Sequence, residues 1–326
     1  MKNAKQRWSR GRGAWILLFL FVFVLCRKEE KTSFPSPERL PFPAADFKPE
    51  APFQGKIVFQ SDMDGDNEIF LLTSEGMVKL TDNSWEDIYP RWSPDGSTVA
   101  YASNPEGNYD IYLLPIEGGS PSRVTSSAAD ERDPAWLPDG QRLLFAVEEK
   151  KGLSRQSDLW LLDLRTGSKE KLIPDFRGTN FLADASPRAP LIAFTGRRLM
   201  GWDVFLFDME KRMTRELVQG GKSCRPRFSP DGQSLVYVSS VADGKGDIWV
   251  MAWDGSGQRR LTERNETYDY FPSWSPDGRQ VVFCSNPRSG YADQGEWAIL
   301  VVDVNTGEAR PLFNSTGRDV FPDWSK

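Results

Sequence analysis

The sequence predicts an all-β protein: a six-bladed β-propeller of four-stranded antiparallel blades, the first blade closed by the C-terminal strand. Three observations carry that prediction. A motif of proline, one residue, an aromatic and then Ser-Pro-Asp-Gly recurs at intervals of roughly 45 residues. Short β-rich runs follow each copy in the same order. The folded part begins and ends on complementary fractions of one repeat.

The motif stands at residues 90–96, 134–140, 226–232 and 272–278, with Leu137 replacing the first serine in the second copy. A worn copy occupies 183–189, and the chain ends inside a sixth at Pro322, Trp324 and Ser325. Ser-Pro-Asp-Gly is turn chemistry, because proline presets one φ and glycine accepts the positive φ that closes a hairpin. Next comes a strand-like run: Ile57 to Phe59, Val99 to Tyr101, Leu143 to Phe145, Leu191 to Phe194, Leu235 to Tyr237, Val281 to Phe283. After a glycine-containing loop, an acid leads into another: Glu68, Asp110, Asp158, Asp203, Asp247 and Glu296 each head one. A weaker closing run follows at Leu80-Thr81, Val124-Thr125, Leu172-Ile173, Leu217-Val218, Leu261-Thr262 and Leu312-Phe313. Four short strands per repeat describe a propeller blade. The chain enters at Ile57 on a second strand and leaves on a lone first strand at 321–324, so the two ends are expected to pair and remove the open sheet edge. Residues 55–326 form this propeller, and the recurring Trp92, Trp136, Phe228, Trp274 and Trp324 are read as packing between blades.

Composition narrows the chemistry. The chain has no histidine, which removes Ser-His-Asp and Cys-His catalysis, His-ligated metals and any imidazole switch. Residues 1–26 carry five basic residues and no acid, leaving 36 Lys and Arg against 46 Asp and Glu in the rest. A part this acidic is a poor partner for nucleic acid. No cofactor or metal is expected, and the propeller is expected to be monomeric.

The N-terminus has the layout of an export signal: basic residues, then the 12-residue apolar run 14–25, which is shorter than the ~20 residues of a membrane span. Cys26 follows directly, where a bacterial lipoprotein signal places its lipidated cysteine, although Leu25 stands where a small residue is usual. Lipidation at Cys26 is preferred over cleavage elsewhere or a short uncleaved anchor, because no small-residue cleavage site follows. All three place the folded part outside the cytoplasm, in the periplasm or at the cell surface. Residues 27–54 hold six prolines and read as an extended tether to the membrane.

These Pro-x-Trp-Ser-Pro-Asp-Gly and Asp-Ile-Tyr elements resemble the repeat of the TolB-type propeller family across nearly all of residues 55–326. The resemblance implies a six-bladed propeller working in the bacterial cell envelope as a binding module, whose type member binds a peptidoglycan-associated lipoprotein through its propeller. A proline-rich tether occupies the place of that family's N-terminal α/β domain, so the resemblance carries fold and compartment rather than a role in the Tol–Pal system. Similar repeats gate prolyl-oligopeptidase-type enzymes and form some pectin-fragment lyases, which resemblance associates with a hydrolase domain and with histidines around a metal.

Propeller sites lie at the mouth of the axial tunnel, where six equivalent positions converge. Five residues before the aromatic, the copies carry Asp87, Glu131, Asn180, Ser223, Asp269 and Asp319. The acids form a crescent, and Asn180 and Ser223 complete the ring with Lys222, Arg225 and Arg227 nearby. Such a mouth suits a charged peptide segment of an envelope protein, or a cation. The competing reading is that these side chains cap local turns. Asp62, Asp64, Asp66 and Glu68 superficially have calcium-loop spacing, but their glycine-centred setting reads better as a hairpin turn. Cys224 and Cys284 are read as buried thiols rather than a disulfide. The expectation is a non-catalytic protein-binding module. The alternative is a carbohydrate-binding or carbohydrate-active propeller using paired carboxylates.

Overall fold

The computed structural model describes residues 53–151, 154–197, 201–264, 266–286 and 297–325. Cys26, the apolar run and nearly all of the tether lie outside the described residues, as does Glu296. Among the described residues, twenty-four strands form six four-stranded antiparallel sheets. Blades 2 to 6 each take four consecutive strands, with inner strands Asp87–Trp92, Asp130–Trp136, Thr179–Ala185, Ser223–Phe228 and Tyr268–Trp274. Blade 1 joins the two ends of the domain: inner strand Val320–Ser325 pairs with Lys56–Ser61, followed by Glu68–Thr73 and Gly76–Lys79. The predicted closure is therefore present, with Trp324 opposite Ile57.

Each repeated residue type has a local reason. In the 93–96 turn the Gly96 N–H donates to Ser93 O at 2.9 Å, and Gly96 adopts φ 71°. The Asp95 carboxylate accepts the Ser93 hydroxyl at 2.6 Å and the Ser97 N–H at 3.1 Å, and these bonds hold its pKa below the ordinary value. Asp231 and Asp277 repeat the arrangement with Ser229 and Ser275. The aromatic just before the Ser-Pro-Asp-Gly turn packs on the preceding blade: Trp92 against Val58, Ile69 and Leu71, Phe228 against Ala193, Val204 and Leu206, Trp274 against Val236 and Ile248.

Four of the six closing runs lie one step beyond the outer strands Gly76–Lys79, Ser122–Arg123, Lys169–Lys171 and Arg259–Arg260. Leu80, Val124 and Leu261 still donate to Ile69, Ile111 and Ile248, at 2.7, 2.9 and 2.8 Å. The next residue is threonine in each case, and its hydroxyl accepts the N–H of that same Ile69, Ile111 or Ile248, at 2.9, 2.8 and 3.1 Å. A side-chain oxygen thus replaces the ladder carbonyl, and the chain is free to leave the sheet.

Every inner strand carries a bulge, where register shifts between residues 88/91, 132/135, 181/184, 224/227 and 270/273, and opposite 320/323 in blade 1. Proline explains it, because a residue without an N–H cannot sit in a regular ladder and is confined to edges or bulges. Five of the six bulges contain one: Pro90, Pro134, Pro226, Pro272 and Pro322, with Ala183 in blade 4. N–H groups released by the bulge bond to the neighbouring blade. Tyr89 N–H donates to Gln60 Oε1 at 2.9 Å and Trp92 N–H to Asp323 Oδ2 at 2.8 Å, joining blades 1 and 2. Arg225 N–H donates to Thr195 Oγ1 and Phe228 N–H to Asp184 Oδ2, both at 2.8 Å, joining blades 4 and 5.

Asp323 and Asp184 also span the axis. Arg91 pairs with Asp184 at 2.7 Å, and Arg227 pairs with Asp184 at 3.3 Å and with Asp323. These four charges, from blades 1, 2, 4 and 5, link blades across the axis. Removing one partner of a buried pair strands the other, so Asp323→Asn is expected to lower unfolding free energy by about 3–5 kcal/mol. Chemical denaturation measures this; a loss below about 1 kcal/mol would show that the quartet does not hold the ring.

Candidate functional site

The six side chains predicted at the mouth are buried, each at most 3% exposed, and they face the seams between blades. Asp319 accepts the hydroxyls of Ser61 and Ser315, both at 2.7 Å, across the joint of blades 6 and 1. Asp269 accepts Ser285 at 2.6 Å and Thr267 at 3.0 Å. Asp87 accepts the Asn83 amide at 2.8 Å, and Ser223 bonds Ser239 at 2.9 Å. Glu131 accepts Lys169 at 3.2 Å. In blade 3 the position of the capping threonine is Ile173, and Asn180 Oδ1 accepts the Leu159 N–H at 2.7 Å in its place.

Two sequence repeats converge here. The acid heading the third strand of one blade meets the predicted mouth residue of the next: Glu68 with Asp87, Asp110 with Glu131, Asp158 with Asn180, and Asp247 with Asp269. Burial pushes Glu68 up to about 8 and Asp87 up to about 6. Burial likewise lifts Asp110, Asp247 and Asp319 to about 6. Oxygens of Asp87, Glu131, Asp247 and Asp269 are buried without a donor, which follows when carboxyl groups face one another. A hydrogen bond between two carboxyl groups requires that one of them keep its proton. Cations at the ends of outer strands limit the cost: Arg123 reaches Asp110 at 2.6 Å, Lys171 reaches Asp158 at 2.8 Å and Arg260 reaches Asp247 at 2.8 Å. These carboxylates hold the seams, and none presents an open pair to a substrate.

The side chains that do enter the channel lie two residues further along. Among the described residues seven non-glycine residues have positive φ, and six of them occupy one equivalent position per blade: Tyr89, Asp133, Leu182, Arg225, Phe271 and Phe321. Their φ values of 49–58° are left-handed, a conformation costing on the order of 1–3 kcal/mol for such residues. Each is the bulge residue, and a bulge re-aims a side chain. The six line an axial cavity of about 50 Å³ together with the bulge prolines and with Arg91 and Arg227 of the ion quartet.

This ring is chemically lopsided. Blades 1, 2 and 6 supply aromatic rings in contact, Tyr89 and Phe321 with centroids 4.4 Å apart and Phe271 and Phe321 4.0 Å apart. Blade 5 supplies Arg225, whose guanidinium lies 4.4 Å from the Phe271 centroid. Blade 4 supplies Leu182. Blade 3 supplies Asp133, raised to about 6 by burial against the pull of Arg225, Arg132 and Arg91. The sequence did contain a signal for these residues. Each directly precedes the proline, or Ala183, inside a predicted strand, and a proline at that place marks a bulge.

The remaining candidates are structural. Asp62 Oδ1 accepts the Arg318 N–H at 2.7 Å and Asp64 pairs with Lys79 at 2.5 Å, so the carboxylates of that turn serve separate partners. Cys224 and Cys284 are free thiols, and burial pushes both above the ordinary thiol value.

Residues 153–325 match the family model described as the TolB beta propeller domain, just over half of the chain. The chain belongs to the TolB propeller family. Residues 66–180 also match the Tricorn protease N-terminal beta propeller domain. Among curated relatives, Uncharacterized protein Atu1656 of Agrobacterium fabrum is 29% identical over 245 residues, covering 72% of this chain and 80% of that protein. Tol-Pal system protein TolB of Francisella tularensis subsp. mediasiatica is 25% identical over 235 residues, covering 71% of this chain. The chain spans about half the length of that TolB, 51%. TolB from Acinetobacter baumannii shares the fold with a TM-score of 0.70 at 20% identity, over 84% of this chain and 67% of the other.

The TolB-type seams make stability depend on pH. Glu68 rises from an ordinary 4.5 to about 8 in the fold, so its stabilising contribution is full below about 4.5 and is lost as pH climbs through 8. Glu68→Gln keeps the shape and a donor toward Asp87 without the charge. The variant is expected to match the parent near pH 5 and to melt roughly 2–4 °C higher at pH 9. Parallel Tm profiles for the two proteins would refute the protonated seam.

Proposed function

We propose that this chain is a non-catalytic cell-envelope module, tethered to the membrane by its N-terminus, that binds a partner protein at the mouth of the axial channel. The observation that carries the reading is the ring of six left-handed bulge residues. A scaffold needing only to close would hold the same bulge with any side chains, whereas here aromatic, cationic, acidic and aliphatic groups converge at one opening. Interfaces favour that mixture of aromatic and arginine anchors. Membership of the TolB propeller family supports an extracytoplasmic setting and a protein partner. The basic, apolar and proline-rich residues 1–54 support tethering, with Cys26 as the lipidated residue.

The predicted crescent of Asp87, Glu131, Asp269 and Asp319, with Asn180 and Ser223, then acts as the frame of the mouth rather than its contact surface. A carbohydrate reading is favoured at one place, an open groove of about 810 Å³ between blades 2 and 3, where Trp160 stands beside Glu131, Glu148 and Glu149. Trp160→Ala would abolish binding on a glycan array if that groove serves sugars, and an array without signal would dismiss it.

Affinity capture from envelope extracts tests the main reading. The Tyr89→Ala/Phe321→Ala double variant should capture the partner at least tenfold less well, while Trp253→Ala, on a distant exposed turn, should not differ from the parent. Equal capture by all three proteins would place the interface elsewhere. Cys26→Ser should shift the protein from membrane to soluble fractions, and unchanged attachment would exclude lipidation as the sole anchor.

A further inference from the structure

The axial cavity holds two unmet polar atoms of opposite kind. Four arginines surround the channel. Arg91 and Arg227 are committed to Asp184 and Asp323, and Arg132 pairs with Asp130 at 2.9 Å. Arg225 differs: among the described residues no carboxylate lies within 4.0 Å of its guanidinium, which instead packs over Phe271 at 4.4 Å and Phe321 at 5.5 Å. Its Nε–H is buried without an acceptor. Across Leu182 of the intervening blade, Asp133 also lines the cavity, and its Oδ1 is buried without a donor. Both residues sit on left-handed backbone, at φ 58° and 53°, which sets the direction in which each Cα–Cβ bond leaves its strand.

A buried donor and a buried acceptor left unmet each cost about 1–3 kcal/mol, which a complementary group would recover. A carboxylate suits Arg225 but repels Asp133. An ammonium suits Asp133 but repels Arg225. An aliphatic group satisfies neither. A neutral amide carries an oxygen acceptor and an N–H donor a few ångströms apart, and its flat faces suit walls made of Tyr89, Phe271 and Phe321. The cavity, at about 50 Å³, admits a group of a few heavy atoms and not a whole side chain of large size.

We propose that the axial cavity is an amide-recognition subsite, in which Arg225 donates to the carbonyl oxygen and Asp133 accepts the N–H of a carboxamide presented on the tip of a partner loop. The amide comes from an Asn or Gln side chain or from the loop backbone. This deepens the reading of the mouth as a partner-binding site and rests on it. Sites that hydrogen-bond a polar group reject isosteres lacking it far more strongly than apolar pockets reject a methylene, so the subsite would confer specificity as well as affinity.

The test uses the full chain in detergent and four probes: Ac-Gly-Gln-Gly-NH2, its Glu and Met counterparts, and Ac-Gly-Gly-Gly-NH2. Calorimetry gives affinity, and the arginine Nε–H resonances report contact at Arg225 directly. The Gln peptide should bind at least tenfold more tightly than the Glu and Met peptides and shift one buried Nε–H signal. Arg225→Met and Asp133→Ala should each erase that preference. Should Arg225→Met fail to fold, Arg225→Lys keeps charge and stacking while removing the Nε–H, and should weaken the Gln peptide at least fivefold. Equal binding by the Gln, Met and triglycine probes that both Arg225→Met and Asp133→Ala abolish would support the subsite with backbone amide as its source. Preference for the Glu peptide, or silence from every probe, would overturn the proposal. Partner capture that persists in both variants, with all probes silent, would overturn this subsite and leave the mouth reading standing. Gln-peptide binding without any captured partner would do the reverse.

Discussion

The constraint on which the structure depends is the bulge in every inner strand. A strand that ran regularly along the axis would pair one edge with its own blade, turn the other toward the channel and offer neighbouring blades no N–H. Proline prevents this. It interrupts the ladder, and the N–H groups of Tyr89, Trp92, Arg225 and Phe228 bond across the seam to Gln60, Asp323, Thr195 and Asp184. One backbone irregularity thereby joins blades and turns a side chain into the channel. The ring is cohesive for the same reason that its channel is lined by side chains.

Charge burial follows a similar economy at the seams. Apolar clusters fill the space between sheets, yet each seam also meets the loops that enter the inner strands, and those loops bring backbone groups needing partners. Short polar residues at the strand starts supply them. Where two acids meet, as Glu68 and Asp87 do, the proton retained by one lets it donate to the other, and the pair becomes a bond rather than a repulsion. Asn180 opposite Asp158 reaches the same end without a shared proton, because an amide already carries the donor, and Asp203 is met by the Gly221 N–H at 2.6 Å.

Most of the fold was legible in the sequence because it is written six times. Turn motif, strand order and ring closure each depend on residue types whose effect is local: Gly96 needs a positive φ, and Trp92 needs a neighbouring sheet. The outer strands were displaced by a step because Thr81, Thr125 and Thr262 imitate a ladder carbonyl, which strand propensity does not register. The candidate site was legible only in its neighbourhood. Counting back from the aromatic assumes regular alternation, and a bulge breaks that alternation between Asp87 and Trp92, so a polar residue assigned to the channel was buried in the seam instead. Tyr89 and Phe321 do not stand out by residue type, because aromatic residues in a strand ordinarily mean core and nothing in composition separates them from Trp92.

Repetition also shows where function has room to vary. One position before each motif aromatic, or Ala185 in blade 4, stand Arg91, Ala135, Asp184, Arg227, Ser273 and Asp323, and four of them must keep complementary charge because each buried ion holds another. Changing one of the four strands its partner, so these positions are committed to stability. At the bulge positions the requirement is only that a residue tolerate left-handed backbone. None of the six is β-branched, the class least able to do so, and otherwise they share nothing. A backbone fixed six times over, carrying side chains that range from aromatic to aliphatic to charged, is the physical condition under which specificity can be set by substitution while the bulge itself is kept.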